Sequence, residues 1–391
     1  MPSVARAAEW DIFCTVIDNY GDIGVCWRLA RQLVAEHDVK VRLWVDELAS
    51  LGKICAEIDA RLPIQCVQGV EVRRWESIWS EVLPGDVVIE AFACHLPEPF
   101  IAAMAECQPP PVWINLDYLS AEAWVSGCHA LPSPHPRLPL TKYFFFPGFD
   151  QTTGGLLREA KLELLRQAFC SSAEQQAEFW ARIGQSPPPA GALLVSLFAY
   201  ENSALADLLA IWAQSTVPVC CLAPVTRTLA SIEQFAGRSL QAGDVVRRGQ
   251  LEIRLLSFVE QPDYDRLLWS CDINLVRGED SFVRAQWAAR PLLWQIYPQH
   301  EEAHQVKLAA FLDRYCVALP AATAAAAREL HRQWNAGSEQ TTVGGKIASE
   351  LWAQYVVALP DLCRHAERWA TNLSKQEDLC NSMVHFCLSK L

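Results

Sequence analysis

Twice along this chain, short apolar runs alternate with amphipathic helical stretches, and the two series are separated by Ser186-Pro187-Pro188-Pro189-Ala190-Gly191. Such alternation implies parallel strands, because a parallel pair needs a long crossover connection and a helix supplies it. In the first series the expected strands are residues 10–17, 39–45, 86–90 and 111–116, with helices from residue 25 onward, over 48–57 and within 156–183. In the second series they are 192–198, 217–222, 251–258, 272–276 and 291–296, with helices over 203–214, 263–270, 281–289 and 301–315. The proline run is the clearest linker. The chain therefore reads as α/β, with two Rossmann-like domains over residues 1–185 and 186–350 that would face each other across a cleft. Residues 351–391 form a helical segment long enough to return to the first domain.

The first strand-to-helix turn reads Asp18-Asn19-Tyr20-Gly21-Asp22-Ile23-Gly24. It places two carboxylates and two glycines at the carboxyl edge of a sheet, where α/β proteins bind ligands. A polar turn with a helix N-cap would also account for them. In the helix that follows, Leu29 and Leu33 share one face, with Arg28, Arg31 and Gln32 on others. A dinucleotide site would need Gly-x-Gly-x-x-Gly in this turn. Asp46 does follow the second strand, but only Gly21 and Gly24 are present, and Asp18 and Asp22 would repel a pyrophosphate.

In the second series, Arg277-Gly278-Glu279-Asp280-Ser281 runs from a strand end into a helix start. Backbone N–H groups at Asp280 and Ser281 would form an anion site there, reinforced by the helix dipole. Arg277 could add a bidentate phosphate contact, and Ser281 could cap the helix. Pairing of Arg277 with Glu279 is the purely structural alternative. Phe198, Tyr200, Phe258 and Gln261 lie at neighbouring strand ends, and aromatics with an amide beside a phosphate site fit a nucleotide diphosphate. His300-Glu301-Glu302-Ala303-His304 matches a zinc-peptidase pattern, which leaves a zinc metallopeptidase as an alternative. No third ligand stands out in the residues that follow, and Glu301 and Glu302 equally suit a helix N-terminus.

With 51% hydrophobic and 20% charged residues, the 391-residue chain has the balance of a globular protein. A net charge of -12 argues against a nucleic-acid partner, since binding a phosphate backbone needs a basic face. None of the 15 cysteines forms a Cys-x-x-Cys pair, and the odd count without metal spacing points to reduced thiols in a cytoplasm. No apolar run approaches membrane-spanning length, and Glu9 and Asp11 interrupt the region a signal peptide would need, so no membrane partner is expected. The apolar stretch 143–149 reads as a buried interdomain strand or as a contact for a protein acceptor.

Together, a carboxylate pair on the first sheet and a diphosphate site on the second resemble a GT-B glycosyltransferase. More specifically, the 18–24 turn with Trp27-Arg28-Leu29-Ala30-Arg31, then Phe144-Phe145-Phe146-Pro147-Gly148, Thr153-Gly154-Gly155-Leu156-Leu157-Arg158-Glu159, Ser196-Leu197-Phe198-Ala199-Tyr200-Glu201 and the 277–281 string resemble the EarP family of protein-arginine rhamnosyltransferases. These strings occur in the family's order. The resemblance implies inverting, metal-independent transfer of rhamnose from dTDP-β-L-rhamnose to one arginine of elongation factor P, with no cofactor. It implies Asp22 as general base, Asp18 as its support or as orienter of the guanidinium, and Glu279 as a further residue needed for activity. The donor-binding set implied is Asn19, Tyr20, Gly21, Tyr200, Phe258, Gln261, Arg277, Asp280 and Ser281. A catalytically silent nucleotide-binding partner of the translation machinery is the remaining alternative.

Overall fold

In the computed structural model, which describes residues 8–18, 20–75, 82–298, 303–336 and 346–391, the chain divides into two units. One comprises residues 1–160 and Leu373–Leu391; the other is Lys161–Asn372. The division therefore falls ahead of the proline run, and the C-terminal helices are shared between the units.

The first unit runs β1 (Glu9–Cys14), α1 (Gly21–His37), β2 (Lys40–Val45), α2 (Leu48–Ile54), β3 (Ile64–Val67), β4 (Val70–Arg74), β5 (Val87–Ala91), α3 (Glu98–Glu106), β6 (Val112–Leu116), α4 (Val125–Cys128), β7 (Pro132–Pro134) and β8 (Thr141–Phe145). Among the described residues its sheet has eight strands in the order β3-β4-β2-β1-β5-β6-β8-β7. All neighbours pair in parallel except the hairpins β3–β4 and β7–β8 at the two edges. Strand order reverses between β1 and β5, so the loops leaving those strands flank a topological switch point, the place where open α/β sheets take ligands.

The central strands are mostly apolar and buried, as expected where helices cover both faces. β5 and β6 are buried along their whole length. Phe13 stacks on Trp44 at 5.4 Å and meets Phe100 edge-on at 4.9 Å. Within this core the charged groups are paired: Glu90 lies 2.8 Å from Lys142, and a larger cluster surrounds Asp11. Arg42 Nε and Nη2 donate to the two oxygens of Asp11 at 2.7 and 2.6 Å, and Trp44 Nε1 and the Gly85 N–H complete that carboxylate's partners.

Several elements depart from the sequence expectation. β1 stops at Cys14 rather than at residue 17, since the following N–H groups turn to side chains instead of a neighbouring strand. The β3–β4 hairpin, unforeseen, turns through Gln68 and Gly69, both at positive φ. Of the stretch 143–149, residues 143–145 form the end of β8, inside the first sheet, and 146–149 follow the strand. Arg28 and Gln32, expected on outer faces of α1, are buried. Arg28 lies 3.5 Å from Glu159, and Gln32 Nε2 donates to the Arg158 carbonyl and to Asp378. Asp378 in turn caps the last helix, α15 (Leu379–Leu388). Gly155, at φ +75, makes this closure possible, because a Cβ there would stand 2.2 Å from the Glu377 carbonyl oxygen.

The second unit runs α5 (Leu162–Ser171), α6 (Ala173–Arg182), β9 (Leu193–Leu197), α7 (Ala204–Ala213), β10 (Val219–Pro224), α8 (Leu229–Ala236), β11 (Val245–Arg248), β12 (Leu251–Leu256), α9 (Gln261–Ser270), β13 (Ile273–Arg277), α10 (Asp280–Ala288), β14 (Leu292–Gln295), α11 (Ala303–Tyr315), α12 (Ala321–Ala336), α13 (Ser349–Val357) and most of α14 (Leu359–Leu373). Its six described strands are ordered β11-β12-β10-β9-β13-β14, parallel except for β11–β12. The switch point here lies between β9 and β13.

Asp11 is fully buried, so removing its cation leaves an uncompensated charge in the core. Arg42→Met is expected to cost about 3–5 kcal/mol, read as a lowered denaturant midpoint in chemical unfolding of the first unit.

Candidate active site

At the end of β1 three successive backbone donors are taken by carboxylates. The Val16 N–H donates to Asp46 Oδ1 at 2.9 Å, and the Ile17 and Asp18 N–H groups both donate to Asp22 Oδ2, each at 2.9 Å. The turn closes with the Gly21 N–H on the Asp18 carbonyl at 2.7 Å and the Gly24 N–H on the Tyr20 carbonyl at 3.0 Å. Gly21 and Asp22 open α1, and a Cβ on Gly21 would come 2.7 Å from Asp18 Oδ2. Glycine is thus what lets the Asp18 carboxylate fold over the helix start.

The two carboxylates differ in setting. Asp22 is 3% exposed, whereas Asp18 is half-buried. Burial pushes the Asp22 carboxyl above its ordinary value; the Asp18 and Ile17 N–H groups and a hydrogen bond from the Tyr118 hydroxyl pull it back, and the charge of Asp46 adds to the rise. A buried carboxylate that is oriented by backbone donors and raised in basicity is suited to accept a proton. Asp46, which a dinucleotide site would have turned toward a ribose, is instead bonded to the loop. Tyr20 is half-buried at the N-cap position of α1, and Asn19 lies outside the described residues.

In the second unit the switch-point loops gather most of the expected donor-binding residues. Arg277, the last residue of β13, is buried, and its guanidinium carbon lies 4.6 Å from the Phe198 ring centre and 4.5 Å from that of Tyr200. It therefore stands between two aromatic faces, a cation–π setting. Phe258 meets Phe198 edge-on at 6.2 Å, and the Tyr200 N–H donates to Gln295 Oε1 at 2.9 Å.

α10 begins at Asp280 with Glu279 at its N-cap, and no side chain caps it. Ser281 is not the cap expected of it: its hydroxyl accepts from the Arg277 N–H at 3.1 Å and donates to the Arg277 carbonyl, which ties the strand end to the helix start. Gln261 opens the neighbouring α9, and its Nε2 lies 3.5 Å from Asp280 Oδ2. The two helices are locked by a buried pair, with Arg284 Nε and Nη2 donating to Asp265 at 2.9 and 2.8 Å. Two helix N-termini fixed side by side, flanked by a buried guanidinium and aromatic rings, make a setting that favours negative charge.

Three aromatic participants were not singled out from sequence. Tyr118 reaches Asp22 from the end of β6, and Tyr264 and Tyr297 extend the aromatic cluster at 5.6 Å from Phe198 and Tyr200 respectively. Each is brought in by the fold rather than by a local pattern; Tyr118 and Tyr297 lie just past strand ends, and Tyr264 lies in the first turn of α9. Of the zinc-like string, His304 is buried on α11 with its Nε2 3.2 Å from Gln305 Nε2, and residues 299–302 lie outside the described residues.

Comparison with known proteins adds three findings. Residues 10–388 match the model of the family described as Elongation-Factor P (EF-P) rhamnosyltransferase EarP. The chain is 50% identical over 385 residues to the protein-arginine rhamnosyltransferase of Pseudomonas putida KT2440, covering 98% of this chain and 100% of that one, and 50% identical over 380 residues to its counterpart in Pseudomonas aeruginosa PAO1, covering 97% and 98%. A solved structure described as the basis for EarP-mediated arginine glycosylation of translation elongation factor EF-P superposes with a TM-score of 0.69 at 38% identity, covering 98% of this chain and 100% of that one. The fold is accordingly of the GT-B type. Matched from residue 10 to residue 388 and half identical to relatives along nearly its full length, this chain belongs to the EarP family of EF-P rhamnosyltransferases and is a glycosyltransferase.

Proposed function

We propose that this enzyme transfers rhamnose from dTDP-β-L-rhamnose to an arginine side chain of elongation factor P, with inversion and without a metal ion. The observation that carries the chemical part is Asp22: a buried carboxylate, held by two backbone N–H groups at the β1 switch point and raised in basicity by burial. Arginine is a poor nucleophile because its guanidinium is always charged, so transfer needs a group that orients it and takes a proton as the new bond forms. In the proposed step a guanidinium nitrogen forms a bond to the anomeric carbon. The bond from that carbon to the diphosphate oxygen breaks, dTDP leaves with the electron pair, and the nitrogen's proton passes to Asp22.

Asp18 would orient the guanidinium from its half-buried position. Glu279, at the N-cap of α10, would place the donor sugar or support the acceptor. The positive charge that a departing diphosphate needs would come from the α10 N-terminus and from Arg277, which is why no metal enters the proposal. The protein acceptor is supported by the relatives' name and by the solved EarP structure's description. Action in the cytoplasm fits fifteen cysteines that are all free thiols and described helices none of which is long and apolar enough to cross a membrane.

Intact-mass and peptide mass spectrometry of elongation factor P, incubated with this enzyme and dTDP-rhamnose, should show one added deoxyhexose on an arginine; an unmodified acceptor would overturn the proposal. Adding EDTA should leave the yield unchanged. Asp22→Asn keeps an oxygen for the Ile17 and Asp18 N–H groups but removes the base, so turnover should fall by roughly 10²–10⁴-fold while calorimetry shows dTDP still bound. Gly21→Ala should keep the fold, since only the end of the Asp18 side chain has to move. Its turnover should nonetheless drop on the order of 10²-fold from misplacement of that carboxylate.

A further inference from the structure

In the second unit, three buried carboxamides tie the loop after β9 to β14 and to α12: Asn202, Gln295 and Asn335. Gln295, the last residue of β14, is central to them, because its Oε1 accepts the Tyr200 N–H at 2.9 Å. β13 lies between β9 and β14 in the sheet, so this side chain spans the end of β13 to reach a loop one strand further on. Its register partner on β13 is Arg277, whose guanidinium stands between the Phe198 and Tyr200 rings. The Gln295 carbonyl also accepts the Gly278 N–H at 3.2 Å. One residue thus holds the backbone of Tyr200 with its side chain and the backbone next to Arg277 with its main chain.

Gln295 is itself secured. Asn335 on α12 accepts the Ile296 N–H at 3.0 Å and donates to the Trp294 carbonyl at 2.8 Å, so the peptide groups on both sides of Gln295 are paired where β14 forms the sheet edge. Asn202, in the loop after β9, donates to the Trp334 carbonyl of α12 at 2.8 Å and accepts the Ala204 N–H at 2.9 Å. Adjacent residues of one helix therefore anchor both partners of the Gln295–Tyr200 bond. The other ring against Arg277 needs no such device, since the Phe198 N–H continues the β9–β13 ladder onto the Leu275 carbonyl at 3.0 Å. Two residues later that N–H partner is the Gln295 side chain instead. Gln295 Nε2 is buried and has no hydrogen-bond partner among the described residues. Turning the amide over would set its NH2 group against the Tyr200 N–H, donor against donor, so Oε1 is the atom this site uses.

We propose that Gln295 is a positioning residue for the nucleotide-sugar donor: it presets Tyr200 against Arg277 in the free enzyme, so that binding does not have to order this loop. This rests on the reading of the second unit as the donor side.

The test is Gln295→Met, of similar length but without the acceptor, in the full-length enzyme. Calorimetry should show dTDP affinity weakened by about tenfold, the equivalent of one neutral hydrogen bond. The KM for the nucleotide sugar should rise by the same factor with kcat unchanged. In a Tyr200→Ala background the same substitution should weaken dTDP no further, because contacting residues that act as one unit are not additive. Unchanged affinity in Gln295→Met would overturn the inference, as would losses that simply add in the double variant. Hydrogen exchange of the Tyr200 amide, followed by NMR in tyrosine-labelled enzyme and assigned by its disappearance in Tyr200→Phe, should be slow in the wild type and faster in Gln295→Met. An unprotected Tyr200 amide in the wild type would overturn the inference even where the variant fails to fold. If the wild-type enzyme binds no dTDP, the functional proposal fails instead, and the amide exchange still decides whether Gln295 holds the loop.

Discussion

One carboxylate oxygen, Asp22 Oδ2, accepts the backbone N–H groups of Ile17 and Asp18 and so decides where β1 ends and how α1 begins. Without it, two donors at the edge of a buried sheet would lack partners, and a buried unpaired N–H costs about as much as a lost hydrogen bond. The same bonds fix the carboxylate's direction. A group that shapes the loop is thereby also placed, desolvated and tuned in basicity, and these are the properties that a proton acceptor for a guanidinium requires. The cost of burying it is offset by the two backbone donors that hold it.

The second unit solves a different problem with the same architecture. In the proposed reaction a leaving diphosphate would need positive potential in a dry setting, and helix N-termini with one buried guanidinium would supply it. α9 and α10 start side by side at Gln261 and Asp280, fastened by the buried Asp265–Arg284 pair. Arg277 is held by its neighbours in two ways: its guanidinium lies between Phe198 and Tyr200, and its backbone is clasped by the Ser281 hydroxyl. Rigid placement of this kind means little has to reorganise when charge develops on the departing group.

Much of this was legible in the sequence where the determinants are local. The strand-turn-helix around Asp18 and Asp22 and the strand-helix junction at 277–281 are both contained within about a dozen residues, and both form as strand, turn and helix in the expected places. What was illegible depends on chain segments far apart. Arg28 and Gln32 look like solvent-facing helix residues until Glu159, the Arg158 carbonyl and Asp378 are brought over them. The Thr153-Gly154-Gly155 string could be matched to a family but not explained, because its reason, the Glu377 carbonyl beside Gly155, lies more than 200 residues on. Tyr118 reaches Asp22 only because β5 and β6 lie in order beside β1. Ser281 illustrates a subtler gap, since a serine at a helix start has several hydrogen-bonding options and the choice is made by the neighbouring strand end.

In the proposed reaction a single displacement takes place, in which Asp22 accepts the guanidinium proton and no sugar becomes bonded to the enzyme. Such a step inverts the anomeric centre once. The anomeric configuration of the rhamnosyl-arginine product, read from one-bond carbon–proton coupling by NMR on the modified acceptor, therefore tests it most directly. An α-linked rhamnose is expected from the β-linked donor. A β-linked product would contradict it, because retention requires two displacements and a nucleophile that this reading does not assign.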